Sequence, residues 1–253
     1  MGSLVGKRAL VTGAEQGIGK AVAEGLLEAG CDVAIHYYMG EEGPKELAGL
    51  AASLGRRARP FQADLTDEKA AVELVAKAAD FLGGLDVLVN NVGGLVERRM
   101  LGAIDMAFWQ TVIDINMTTM MLVTREAVPH LARANGASIV NLASLAGRKG
   151  GHPGSLVYSM TKGAVLTFTR ALSNELGPQG IRVNAVAPGL ILGTRFHNVH
   201  TTKASADETI RGIPLGRAGD VDDIARPIVF LASEYDGFIT GETLDINGGV
   251  YCA

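Results

Sequence analysis

The chain has 253 residues, a formal net charge of −4 and 47% hydrophobic residues, which suits one α/β domain with a sizeable buried core. The acidic balance and the lack of a basic block argue against nucleic-acid binding and against an electrostatic hold on a membrane. Two cysteines, Cys31 and Cys252, speak against a disulfide framework and suit a reducing compartment, and no apolar run reaches membrane-span length.

The opening MGSLVGKRALVTG runs almost directly into a strand, so no secretory signal is read there. Its Gly2 start resembles an N-myristoylation signal, and Gly-Ser after Met is equally a cloning remnant. The expectation is a soluble, cytoplasmic protein without internal repeats, forming one domain over residues 1–253.

Apolar strands are expected at about 9–13, 32–37, 59–64, 85–93, 137–144, 181–189 and 242–247. Helix-period segments lie between them at about 18–29, 41–54, 66–82, 107–133, 155–178 and 221–233, with Thr66 as an N-cap and Pro227 interrupting the last. Residues 190–220 read as irregular, and about 190–215 as a substrate loop. Seven strands, apolar on both faces and alternating with helices, predict an α/β fold: a doubly wound parallel sheet with ligands at the strand carboxyl ends.

Chemistry-bearing residues fall at those carboxyl ends. Thr12-Gly13-Ala14-Glu15-Gln16-Gly17-Ile18-Gly19 follows the first strand and opens a helix. There Gly13 permits a tight turn, Gly17 lets backbone approach a pyrophosphate, and Gly19 allows close helix packing; the alternative is a glycine-rich turn without a ligand. Asp64 closes the third strand, and Asn90-Asn91-Val92-Gly93 closes the fourth; each is also ordinary turn chemistry. Asn116 sits within a long helix, where it holds a water, bends the helix or simply packs. Ser144 ends the fifth strand, and Tyr158 and Lys162, four apart, share a helix face. A phenol beside an ammonium suits proton transfer to a carbonyl or alcohol oxygen, because a nearby cation lowers the phenol's ordinary pKa of about 10.

Taken together and in this order, TGxxxGxG, Asp64, NNVG, Asn116, Ser144, the YxxxK of Tyr158 and Lys162, Pro188-Gly189 and the DINGG ending resemble the short-chain dehydrogenase/reductase family over essentially the whole chain. The resemblance implies a single Rossmann-type domain with a seven-stranded parallel sheet, and nicotinamide-dependent hydride transfer. It implies Tyr158 as general acid or base, Lys162 lowering its pKa and binding the nicotinamide ribose, Ser144 polarising the substrate oxygen, and Asn116 holding a relay water. Gly13, Gln16, Gly17, Ile18, Asp64, Leu65, Asn90 and Val92 would line the cofactor; Pro188, Gly189 and Ile191 would flank the nicotinamide, with Thr194 within reach of its carboxamide. It also implies a homotetramer built on the helices at about 107–133 and 155–178 and the C-terminal strand region. Two departures stand out. Ser144 and Tyr158 are 14 apart, one more than is usual in the family, and Gly193 occupies the usual Thr position before Thr194.

The end of the second strand sets the cofactor. Tyr37 stands where NAD-using members carry an acid, and no Lys or Arg lies between Cys31 and Pro44. Glu15 and Gln16 add no cation for a 2′-phosphate, so the expectation is NAD(P) with NAD(H) slightly favoured over NADP(H).

The segment after Gly189 carries Arg195, His197, Asn198 and His200, suggesting a hydrophilic small-molecule substrate with Ser144, Tyr158, Arg195 and His197 around it. The GGLVERR and TRFH strings resemble members that reduce sugar-acid keto compounds, so a sugar-derived or uronate-like substrate is expected. His197 and His200 without further ligands give no metal set, and no catalytic metal is expected. The competing readings are an inactive dinucleotide-binding scaffold or sensor, and an epimerase or dehydratase that recycles its cofactor.

Overall fold

The structure, a computed structural model, describes residues 4–194, 199, 201–233 and 237–252. Seven parallel strands form one sheet: β1 (Arg8–Val11), β2 (Asp32–Tyr37), β3 (Ala58–Gln62), β4 (Val87–Asn90), β5 (Ala137–Leu142), β6 (Ile181–Pro188) and β7 (Thr243–Ile246). Their order is β3-β2-β1-β4-β5-β6-β7, with Leu10 opposite both Ala34 and Leu88. The chain therefore winds outward from β1 to β3, returns to the centre, and winds out the other way from β4. That reversal between β1 and β4 leaves a crevice above their carboxyl ends, because neighbouring crossovers depart to opposite faces.

Helices cover both faces. One layer holds α1 (Gly17–Glu28), α2 (Glu42–Ser53) and α9 (Val221–Ala232), whose Leu26, Leu27, Leu47, Ile224 and Ile228 close over Val11, Val33 and Ile35. The other holds α3 (Glu68–Leu82), α5 (Thr119–Leu131) and α7 (Leu156–Leu176), whose Leu74, Val75, Leu131 and Leu176 pack on Leu10, Leu88 and Ile139. Each such fully buried aliphatic side chain contributes about 1.5–3 kcal/mol. These strands carry no polar face because both of their faces are covered.

Five local features correct or add to the sequence reading. Helix α3 is capped by Asp67, which accepts from the Ala70 N–H at 2.9 Å, while the Thr66 hydroxyl donates to Asp64 at 2.6 Å. The helix expected at 107–133 is α4 (Met106–Ile113) joined to α5 through a π-helical turn, Asp114–Thr118. The irregular stretch 190–220 contains a helix, α8 (Lys203–Arg211), capped by Thr202. Only Ala206 of α8 is buried, so the segment carries no apolar stripe to announce it. The Gly-rich stretch after Ser144 begins with a short helix, α6 (Leu145–Lys149). Pro227 does not end α9, whose Ile224, Ile228, Val229 and Leu231 are all buried.

Gly19 shows how closely α1 seats on the crevice: a Cβ there would overlap the Gly13 carbonyl oxygen and approach Asn91 Nδ2 to 2.5 Å. Gly49, in exposed α2, has nothing within 4 Å of such a Cβ. Gly19→Ala is expected to lower stability in urea unfolding by about 1–3 kcal/mol or more, whereas Gly49→Ala raises it by about 0.5–1 kcal/mol. Equal effects at the two positions would contradict this packing.

Candidate active site

The crevice opens into a cleft of about 1140 Å³, larger than the usual drug-sized pocket and roomy enough for a dinucleotide and a small substrate. Its first wall is the turn after β1. Gly13 and Gly17 have φ of +63° and +58°, a region that glycine enters without strain. Gln16 at the N-cap makes no side-chain cap bond, and Gln16, Gly17, Ile18 and Gly19 line the cleft. The first-turn N–H groups of α1 thus lack a protein acceptor at the cap and face space where an anion fits.

His36 holds this turn in place. It is 1% exposed; its Nδ1 accepts from the Gly13 N–H at 2.9 Å, and its Nε2 donates to the Ala63 carbonyl oxygen at 3.1 Å. Burial lowers its pKa to about 4, against the raising effect of the bond to Ala63. His36 is therefore neutral at pH 7 and supplies no cation for a phosphate. The turn joins β4 through Thr12 and Asn91: the Thr12 hydroxyl accepts from the Asn91 N–H at 2.9 Å, and the Asn91 amide donates to the carbonyls of Thr12 and Gly13 at 2.9 and 2.8 Å.

Ser144, Tyr158 and Lys162 also line the cleft. Ser144 caps α6, its Oγ accepting from the Ala146 N–H at 3.1 Å, and it shares a hydrogen bond with Tyr158. Burial pushes the Tyr158 phenol up, and the Ser144 bond opposes that rise. Lys162 is 3% exposed and donates to the Leu142 carbonyl oxygen at 2.7 Å, with Nζ 5.8 Å from the Tyr158 ring centroid. Burial lowers its ammonium pKa to about 8. The expected lowering of the phenol by Lys162 is thus not what these groups produce by themselves; desolvation of the phenol dominates.

Asn116 lies in the π-helical turn and is 1% exposed. Its Nδ2 donates to Gly94 O at 2.8 Å and to Val112 O at 2.9 Å, and its Oδ1 accepts from the Gly94 N–H at 3.0 Å. It grips the loop after β4 from both sides. A Cβ at Gly93 would meet Asn116 Oδ1 at 2.8 Å and Lys162 Nζ at 2.9 Å, so this loop runs directly over the lysine.

Of the residues singled out in the sequence, Gly13, Gln16, Gly17, Ile18, Asp64, Val92, Ser144, Tyr158, Lys162, Pro188, Gly189, Ile191 and Thr194 line this one cleft. Tyr37, Leu65, Asn90 and Asn116 do not. Tyr37 and Leu65 are buried behind the wall, and the Asn90 amide turns inward to Thr124 Oγ1 and Asn141 Oδ1, both at 2.9 Å. Tyr38, rather than Tyr37, reaches the cleft at the end of β2, because successive strand residues face opposite ways. Arg195, His197 and His200 lie outside the described residues. The sequence reading missed His36 as an organiser, Thr12 as a junction, and Val96, a cleft-lining residue with φ +65°. Such a conformation costs a β-branched residue about 1–3 kcal/mol.

The family profile described as enoyl-(acyl carrier protein) reductase matches residues 13–251. A 3-oxoacyl-[acyl-carrier-protein] reductase of Staphylococcus aureus is 36% identical over 97% of this chain and 98% of its own length. Among solved structures, an NADH-dependent reductase responsible for alginate metabolism is 35% identical with a TM-score of 0.90, covering 99% of both chains. A short-chain dehydrogenase of Burkholderia cenocepacia in complex with NADP is 33% identical with a TM-score of 0.91, covering 98% of this chain and 99% of its own. The chain belongs to the short-chain dehydrogenase/reductase family and is an NAD(P)-dependent oxidoreductase. The cleft fits that cofactor class: two positive-φ glycines and an uncapped helix start meet a pyrophosphate's needs.

His36 also gives the fold an acid weakness. Its native pKa of about 4 lies below the ordinary 6.5, so the unfolded chain takes up the proton first as pH falls. The stability due to neutral His36 is fully present above about pH 6.5 and is lost as pH falls toward about 4, an effect of about 3 kcal/mol. Urea unfolding of the wild type is expected to lose stability over that window, with a clearly shallower loss in His36→Gln. Identical slopes would contradict the assignment.

Proposed function

We propose that this chain interconverts a ketone or aldehyde and the matching secondary alcohol on a small polar, sugar-derived or uronate-like molecule, with NAD(H) favoured over NADP(H). The observation that carries it is the Ser144–Tyr158 hydrogen bond beside buried Lys162, across one cleft from the glycine turn. When bound, the nicotinamide supplies or accepts the hydride.

The protein's own residues do the rest. Gln16, Gly17, Ile18 and Asp64 would hold the adenosine and pyrophosphate half; Pro188, Gly189, Ile191 and Thr194 would flank the nicotinamide half. Ser144 donates to the substrate oxygen. Tyr158, kept protonated at neutral pH by its raised pKa, gives its proton to that oxygen in reduction and takes it back in oxidation. Lys162 fixes a positive charge nearby, and Asn116 holds the Gly93–Gly94 loop over it.

A polar substrate is supported by Arg98, Lys149, His152, Ser205 and Thr209, which also line the cleft. Among the described residues neither Arg98 nor Lys149 has a carboxylate partner. The relation to a reductase responsible for alginate metabolism points the same way. NAD(H) is supported because the cleft beside β2 is lined by Glu15, Gln16, Tyr38 and neutral His36, without Lys or Arg among the described residues.

The reading extends to a one-domain, cytoplasmic homotetramer. Met121 on α5 and Leu156 and Met160 on α7 are large apolar side chains exposed on the helices that would pair. Tyr158→Phe is expected to lower kcat by a factor of about 10² to 10⁴, with the NADH dissociation constant within about threefold, since the phenol proton is lost and the cradle is not. Wild-type turnover in this variant would defeat the assignment. Substrate conversion with no net change in cofactor absorbance would instead indicate an epimerase or dehydratase.

A further inference from the structure

Among the described residues, Val96 is the only non-glycine with positive φ. The Glu97 N–H donates to the Leu95 carbonyl oxygen at 2.8 Å, closing a three-residue turn around it. Glycine would take that turn without strain, and a β-branched residue is among the poorest choices. A conformation of this kind persists only where its neighbours over-determine it, and here they do. Upstream, Asn116 grips both polar groups of Gly94, and Leu95 is 2% exposed. Downstream, the Arg99 N–H donates to Gly154 O at 3.0 Å, the Arg98 guanidinium donates to Pro153 O at 3.2 Å, and the Arg99 guanidinium stacks over Phe108 at 4.4 Å.

The Val96 side chain is itself 40% exposed, so burial in the core does not offset the strain. What Val96 does contribute is a piece of the cleft wall. In the chain it stands between Gly93, which runs over Lys162, and Arg98, which is bonded to the loop leading into the Tyr158 helix. The turn is thus anchored through its chain neighbours to the side of the cleft that carries Lys162 and the Tyr158 helix.

We infer that Val96 is a specificity-determining residue, an apolar stop held in a strained turn, which limits the size of the group attached to the substrate carbonyl. The inference rests on the carbonyl chemistry proposed above. A hydrophobic stop of this kind discriminates by roughly tenfold or more for one or two methylenes.

The test compares 2,3-butanedione with 3,4-hexanedione as NADH-dependent substrates of the wild type, Val96→Ala and Val96→Gly, together with melting temperature and NADH affinity. In Val96→Gly the kcat/KM ratio of the larger to the smaller diketone is expected to rise at least about fivefold. The melting temperature should be no lower than wild type, and the NADH dissociation constant should stay within about twofold. Val96→Ala, which keeps a side chain in the turn, should move the ratio the same way by a smaller factor. A ratio within about twofold of wild type in both variants would overturn the inference, and so would a Val96→Gly chain that melts well below wild type, since the side chain would then be structural. A wild type that turned over neither diketone would overturn the inference, while the carbonyl-reducing reading is checked separately by loss of activity in Tyr158→Phe.

Discussion

Thr12 and Asn91 stand 79 residues apart in sequence, and their hydrogen bonds tie the carboxyl end of β1 to that of β4. The junction sits where the chain reverses its winding. The same Asn91 amide fixes the Gly13 carbonyl, against which Gly19 and the whole of α1 are seated. Displacing it by one side-chain width would move the helix start, the glycine turn and the Gly93–Gly94 loop together. These hydrogen bonds are individually worth about 1 kcal/mol each, but they are the geometric origin of both halves of the cleft.

The two halves use burial in opposite ways. On the dinucleotide side, burial keeps His36 neutral, so it serves as one acceptor and one donor and adds no charge beside Glu15. On the Ser144–Tyr158–Lys162 side, burial lowers the Lys162 ammonium and raises the Tyr158 phenol. The phenol is then a proton donor at neutral pH, and the lysine is cationic there but loses its charge just above it. Arg148 reinforces this wall from outside, pairing with Asp245 at 3.0 Å and lying over the Tyr251 ring, which ties α6 to β7 and the C-terminal tail.

Much of this was legible in the sequence. The central strands β1, β2, β4, β5 and β6 announced themselves because parallel strands covered on both faces are largely apolar. The glycine turn, Ser144, Tyr158 and Lys162 were readable because their chemistry needs fixed residue types at fixed spacing, and they do meet in one cleft. What was hidden depends on tertiary partners. Nothing local distinguishes a buried His36 with both nitrogens bonded from a surface histidine. The π-helical turn at Asp114–Thr118 arises where Asn116 bonds Gly94 and Val112 together, a contact 22 residues away in the chain for Gly94. The Val96 turn violates local preference and so is invisible to any reading based on preference. Asn90 and Asn91 look alike in sequence, yet one turns into the core and the other into the cleft, because adjacent residues at a strand end face opposite ways.

We propose that the cleft at the β1–β4 reversal is a dinucleotide site; among the described residues its wall beside β2 carries no Lys or Arg for a 2′-phosphate. The most direct measurement is calorimetric titration of the wild-type chain with NADH and with NADPH in the same buffer at pH 7.5. NADH is expected to bind at least about tenfold tighter, a difference of about 1.4 kcal/mol. Equal or tighter binding of NADPH would contradict the charge argument built on Glu15, Tyr38 and neutral His36, and binding of neither would contradict the site itself.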